Sequence, residues 1–303
     1  MRPPSIVNTN IITLFCDAFD RVEMRLDRHP GNKALACLKA LGVTALTKAT
    51  LSPADVQYQP RWRYELTLLQ PSLRALHLVK SLLSDTVAAE VIYVEFARDF
   101  PVERKRDARR LLLYFLRTTL LRSYRGKVRM YKHGAYYGRR GRAVRLVVYA
   151  DRHSKLKTAA RGLPCFHAEL RLQGAQALRK AGVYGLQDLI GFDFQAIWNE
   201  RVRHWDLGNR AKLGAAMTPG AGAGKAHAES LQRRVSRALK HEKYRTMRRA
   251  DDPGVQGLPR HTFALQALVR KHPKTLRAMR GLTTEQWIEK AAVAITRSPR
   301  KWR

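Results

Sequence analysis

In the stretch CFHAELRL, residues 165–172, an ionisable side chain recurs at every second position: Cys165, His167, Glu169 and Arg171. The residues between them, Phe166, Ala168, Leu170 and Leu172, are apolar. A strand sends alternate side chains to opposite faces, so this segment predicts one core face and one face of reactive groups. The same test on VIYVEFARDF puts Tyr93, Glu95, Ala97 and Asp99 on one face and Val94 and Phe96 on the other. In VRLVVYADR, Tyr149 shares a face with Val147 and Asp151. If these strands are neighbours, one sheet face gathers Glu95 or Asp99, Tyr149, Asp151, His167 and Glu169.

Carboxylates with one imidazole suit Mg²⁺ or Mn²⁺, which prefer hard oxygen ligands. Such an ion polarises a phosphate and stabilises the charge of its transition state. A tyrosine beside it is a candidate nucleophile. An ordinary phenol has a pKa of about 10. A metal, or the cations Arg152, His153, Lys155 and Lys157, would favour the phenolate and offset phosphate charge. Attack on a DNA phosphodiester would leave a phosphotyrosine bond and a 3′ hydroxyl.

The charge balance points to the same class of substrate. The chain of 303 residues carries 58 Lys+Arg against 24 Asp+Glu, a net +34. A charge of this size opposes compaction unless a polyanion offsets it, and nucleic acid is the first candidate. With no Lys-rich tail and no lipidation motif, a membrane surface is disfavoured. No apolar run is long enough to span a bilayer. The opening MRPPSIVNTN does not read as a signal peptide. The three cysteines, Cys16, Cys37 and Cys165, have neither disulfide nor zinc spacing. A cytoplasmic protein is expected.

The elements that must hold these residues follow from periodicity. Residues 1–88 read as an N-terminal helical portion, from leucines near helical spacing in NKALACLKALGVTALTKATLSPADV and PSLRALHLVKSLLSDTVAAE. Residues 89–207 read as strand, helix, strand, strand, strand, helix, with Pro101 opening the first helix. That order predicts an α+β fold, an antiparallel-rich central sheet with helices on one face. Residues 208–227 read as a flexible Gly/Ala linker. TPGAGAGKA within it lacks the phosphate-loop pattern, since Pro219 replaces the first glycine and Ala226 the hydroxyl residue. Residues 228–303 read as a basic helical DNA-binding region, and its last helix opens with a capping box, Thr283 with Gln286.

Three blocks in this order resemble the replication initiation factor family, the gene II type initiators of filamentous phages and the related initiators of rolling-circle plasmids. They are IYVEFARDFPVERKRDARRLLLYFL, YYGRRGRAVRLVVYADRHSKL and CFHAELRLQGAQALRKAGVYGLQDLIGFDFQAIW. The likeness covers about residues 90–200. It implies nicking of one DNA strand at an origin through a tyrosine and a divalent metal. It implicates Tyr149 as nucleophile, Glu95 and Glu169 as metal ligands, and Lys155 as the basic residue that follows the tyrosine. Asp99 is an alternative ligand to Glu95, His167 a further one, and Tyr136 and Tyr137 are rival nucleophiles. The histidine–hydrophobic–histidine motif of the wider superfamily is absent from the chain; His167-Ala168-Glu169 is at best a variant.

The reading is thus a rolling-circle replication initiator acting on phage, plasmid or mobile-element DNA, with host replication proteins as further partners. Arg139, Arg140, Arg142, Arg152 and Lys157 would track the strand, and Tyr136 or Tyr137 could stack on a base. Arg233, Arg234 and Arg237 in the basic helices would grip phosphates. A conjugative relaxase would use the same chemistry. A non-catalytic DNA-binding regulator would use the charge alone.

Overall fold

A computed structural model describes residues 15–40, 44–48, 61–83, 87–121, 129–131, 134–138, 141–150, 152–156, 161–205 and 281–296. The fold is α+β, as the order of elements predicts. Its strands are β1 (Cys16–Leu26), β2 (Thr44–Lys48), β3 (Tyr64–Leu69), β4 (Ala89–Pro101), β5 (Thr119–Leu121), β6 (Arg129–Tyr131), β7 (Gly134–Tyr137), β8 (Val144–Tyr149), β9 (Cys165–Gln173), β10 (Val202–Trp205) and β11 (Gly281–Leu282). Eight of them form one sheet in the order β2-β3-β1-β4-β9-β8-β7-β6. Every neighbouring pair in it is antiparallel. A small sheet joins β11, β10 and β5.

The helices are α1 (Asn32–Ala40), α2 (Leu73–Leu83), α3 (Lys105–Thr118), α4 (Ala175–Arg179), α5 (Phe194–Arg201) and α6 (Thr284–Thr296). They cover the apolar face of the large sheet. Phe166 of β9 meets Phe115 of α3, and Phe100 of β4 meets Trp287 of α6. Phe96 of β4 stacks on Phe192 beside α5. The alternation in β9 sends Phe166, Ala168, Leu170 and Leu172 into this core, all fully buried. The other face carries the ionisable row.

The expected N-terminal helical portion is corrected. α1 and α2 are there, but β1, β2 and β3 surround them and extend the same sheet, with β1 paired directly to β4. The physical reason lies in RVEMRL, where Val22, Met24 and Leu26 are buried and Arg21, Glu23 and Arg25 are not. That period of two fits a half-buried antiparallel strand. Pro101 closes β4 opposite Cys165 rather than opening α3, a strand end being a place where a missing N–H costs little. α3 stops at Thr118, because Thr119 turns extended and pairs with His204 of β10.

The capping box forms as read: Gln286 N donates to Thr283 Oγ1 and Thr283 N to Gln286 Oε1, each at 3.3 Å. The helix it opens, α6, contributes Trp287, Ala291 and Ile295 to the core. Residues 208–227, the phosphate-loop look-alike, and Arg139, Arg140, Asp151, Lys157, Arg233, Arg234 and Arg237 lie outside the described residues.

Candidate functional site

Antiparallel register lines the polar face up in rows that run across the strands. One row is Cys16, Asp99, His167, Tyr149 and Gly134. The next is Ala18, Ala97, Glu169, Val147 and Tyr136. A third is Arg21, Glu95, Arg171 and Arg145. Successive rows are about 7 Å apart, two residues of strand rise. The register therefore sets Tyr149 directly beside His167 and one row from Glu169.

The Tyr149 hydroxyl donates to Glu169 Oε1. Its ring stacks on His167, with centroids 4.7 Å apart and planes at 22°. The guanidinium of Arg152 lies 5.5 Å from the Tyr149 ring centroid. At Gly134, across the strand pair from Tyr149, an added Cβ would stand 2.4 Å from the Val148 carbonyl oxygen and 2.9 Å from Tyr149 Cβ. Only glycine lets β7 come this close to the tyrosine.

His167 Nδ1 lies 2.8 Å from Asp99 Oδ1, and its Nε2 lies 3.3 Å from the carbonyl oxygen of Arg152. Both partners are acceptors, an arrangement that favours the ring protonated on both nitrogens. Burial by itself would lower the His167 pKa. The hydrogen bond and charge of Asp99 outweigh that, and the pKa is raised. The Ser154 hydroxyl donates to the second oxygen of Asp99.

Among the described residues, two groups of side chains have the spacing of metal ligands. Asp20, Glu95 and Glu169 each offer an oxygen, all within 4.8 Å of one another, and so do Asp99, Cys165 and His167 with their own donor atoms. Glu95 and Glu169 share the first group, while Asp99, the alternative to Glu95, stands with His167 in the second. The first is three hard oxygens and fits Mg²⁺ or Mn²⁺. The second, one carboxylate with an imidazole and a thiol, is a softer donor set.

Asp20 reaches the first group through a bulge. Phe19 pairs with Phe96 and Arg21 with Glu95, so Asp20 is the extra residue between them. Phe19 and Val22 both face the core, which leaves Asp20 and Arg21 together on the polar side. The only sequence signal is the two-residue polar gap in FDRV, where a regular strand would have one.

Arg171 ties the carboxylates together. Its Nη2 donates to Glu169 Oε2 at 2.6 Å, and its Nε lies 3.1 Å from Glu95 Oε1. The Tyr93 hydroxyl donates to the same Glu95 oxygen. Burial raises the Glu95 pKa, with Arg171 and Tyr93 opposing. Burial also raises the Tyr149 pKa, and the charge of Glu169 adds to it.

Asp20, Glu95, Asp99, Tyr149, His167, Glu169 and Arg171 line a cleft of about 520 Å³, with Gln70, Tyr136, Arg152, His153 and Lys155 around them. Lys155, Arg152 and Arg142 are exposed. Tyr137 is not available for stacking on a base, a correction to its expected role: it is 0% exposed and belongs to the core, while Tyr136 faces the cleft. Alternation along β7 allows only one of the two on each face.

No protein-family model matches the chain, and no curated protein does. Among solved structures the chain is similar to the rolling circle replication initiator protein from Geobacillus stearothermophilus, at 9% identity over 65% of this chain and 89% of that one. The TM-score is 0.37, at which the likeness does not establish a shared fold. No helix among the described residues is long and apolar enough to cross a membrane.

Proposed function

We propose that this protein is a metal-dependent, tyrosine-type single-strand DNA endonuclease and strand transferase that starts rolling-circle replication. One observation carries the reading: the Tyr149 hydroxyl is hydrogen-bonded to Glu169, a member of a three-carboxylate group that lines a cleft rimmed by exposed cations. The net charge of +34 supports a polyanionic substrate. The cleft volume is that of a small-molecule pocket, room for a nucleotide and its phosphate but not for a duplex. An unpaired strand suits that volume.

Tyr149 Oη attacks the scissile phosphorus and its proton passes to Glu169 Oε1, the atom it already faces. The Oη–P bond forms and the P–O3′ bond breaks. The 3′ oxygen leaves as a hydroxyl, with its proton from solvent, and the 5′ phosphate stays on the tyrosine. A later 3′ hydroxyl attacking that phosphate reverses the step and transfers the strand. A divalent cation held by Asp20, Glu95 and Glu169 would offset phosphate charge and draw the Tyr149 phenol toward the phenolate. Arg152 and Lys155 stand at the cleft to neutralise the phosphate. The liberated 3′ hydroxyl is a primer for host replication proteins.

The test is a covalent adduct. The protein is incubated with circular single-stranded phage or plasmid DNA and Mn²⁺, then run on a denaturing gel. Wild type and Tyr136→Phe form the adduct, and Tyr149→Phe loses it. Intact DNA binding without any adduct would instead favour a regulator that only binds.

A further inference from the structure

Three carboxylates with oxygens within 4.8 Å of one another repel, and here the compensating charge is a side chain of the protein. Glu169 uses one oxygen for the Tyr149 hydroxyl and the other for Arg171. Glu95 Oε1 takes the Tyr93 hydroxyl and faces Arg171 Nε. Asp20 Oδ1 accepts from Gln70 at 3.2 Å. The guanidinium thus bridges two of the three residues that a hard cation would need. A divalent ion needs several oxygen ligands, and a guanidinium already seated against Glu169 Oε2 and Glu95 Oε1 repels it and competes for those atoms. Arg171 also has somewhere to go: its side chain is 22% exposed and lines the cleft.

We propose that Arg171 is a placeholder cation, which holds Glu95 and Glu169 together beside Asp20 in the metal-free protein and is displaced into the cleft when a divalent ion takes the oxygens of the three. The proposal rests on the reading of this trio as the cation site of the nickase. Arg171 is a positioning residue in it. Its displacement puts a guanidinium where a DNA phosphate would lie, so ion and DNA favour each other's binding. The carboxylates stay ordered between turnovers without a resident metal.

Manganese binding, followed by electron paramagnetic resonance of free Mn²⁺ with no DNA present, tests this directly. Arg171→Met binds Mn²⁺ at least about tenfold more tightly than wild type. Arg171→Lys binds it several-fold more tightly, since an ammonium cannot span two carboxylates in the guanidinium's geometry. Arg145→Met removes the same charge from the neighbouring position in the same row and changes the affinity by less than about twofold. Equal tightening by Arg145→Met and Arg171→Met would mean that only the field of the cleft matters and would overturn displacement. Unchanged or weaker binding in Arg171→Met would also overturn it. Should that variant not fold, Arg171→Lys decides by the same criterion. If no variant and no wild type binds Mn²⁺, displacement and the metal-dependent nickase both fall. If Arg171 competes with Mn²⁺ but no adduct forms on DNA, only the nickase falls.

Discussion

His167 and His204 are both buried, and each lies against an aromatic ring with centroids 4.7 Å apart and planes at 22°. They differ in their partners. His167, on the cleft side, has an acceptor at each ring nitrogen, and its pKa is raised. His204, in the helical layer, has Nε2 3.3 Å from the Trp198 indole N–H, which can only donate, and Nδ1 2.8 Å from Thr119 Oγ1. It is neutral, and burial, with Arg98 adding, lowers its pKa to about 3. The charges behind the difference are successive residues of β4. Asp99 turns to the cleft and raises His167, while Arg98 turns to the helices, where it pairs with Asp17 at 2.6 Å. One pleat separates a face built for chemistry from a face built for packing. Burial alone decides neither ionisation state.

The comparison can be broken from the cleft side first. Glu169→Gln keeps the shape but removes the proton acceptor of Tyr149 and one oxygen anion of the trio. Single-turnover adduct formation falls about 10³-fold while the unfolding midpoint hardly moves. From the helical side, Arg98→Met leaves Asp17 without its partner. It lowers stability in urea by about 3 kcal/mol, with the adduct rate of the folded fraction unchanged.

Acid sharpens the contrast. The folded pKa of His204 lies below its unfolded value of about 6.5, so the unfolded chain binds more protons between the two. The stability tied to this group is complete above about pH 6.5 and falls as pH drops toward 3. About 2 kcal/mol of it is gone at pH 5. His204→Gln flattens that part of a stability profile measured from pH 7 to 5. The raised pKa of His167 contributes with the opposite sign: its share is whole below about pH 6.5 and is lost as pH rises through the folded value. The smallest effect is expected of Tyr93→Phe. Tyr93 is 8% exposed and does not line the cleft, so it loses one hydrogen bond, about 1 kcal/mol, and keeps the adduct rate within about tenfold.

Much of the reactive face was legible because a strand's period is two. Alternation alone put His167, Glu169 and Arg171 together, and Glu95 with Asp99. What alternation cannot give is register. That Asp99 stands opposite His167 and His167 opposite Tyr149 depends on how β4, β8 and β9 slide past one another, and so the choice between Glu95 and Asp99 as the partner of Glu169 stayed open in the sequence. Asp20 was invisible because a bulge breaks the period that would have revealed it. The strands of the N-terminal portion were hidden behind leucines whose spacing also suits a helix, as in Thr44–Lys48. Alternation in Gly134–Tyr137 shows that Tyr136 and Tyr137 part company, but not which of them turns inward.

The central claim is that Tyr149 carries the phosphate. The most direct measurement is mass spectrometry of the tryptic digest of the DNA adduct after nuclease trimming. The account predicts a nucleotide on the peptide spanning residues 146–152, attached to Tyr149. A nucleotide on the peptide spanning 133–139, which holds Tyr136 and Tyr137, would contradict it.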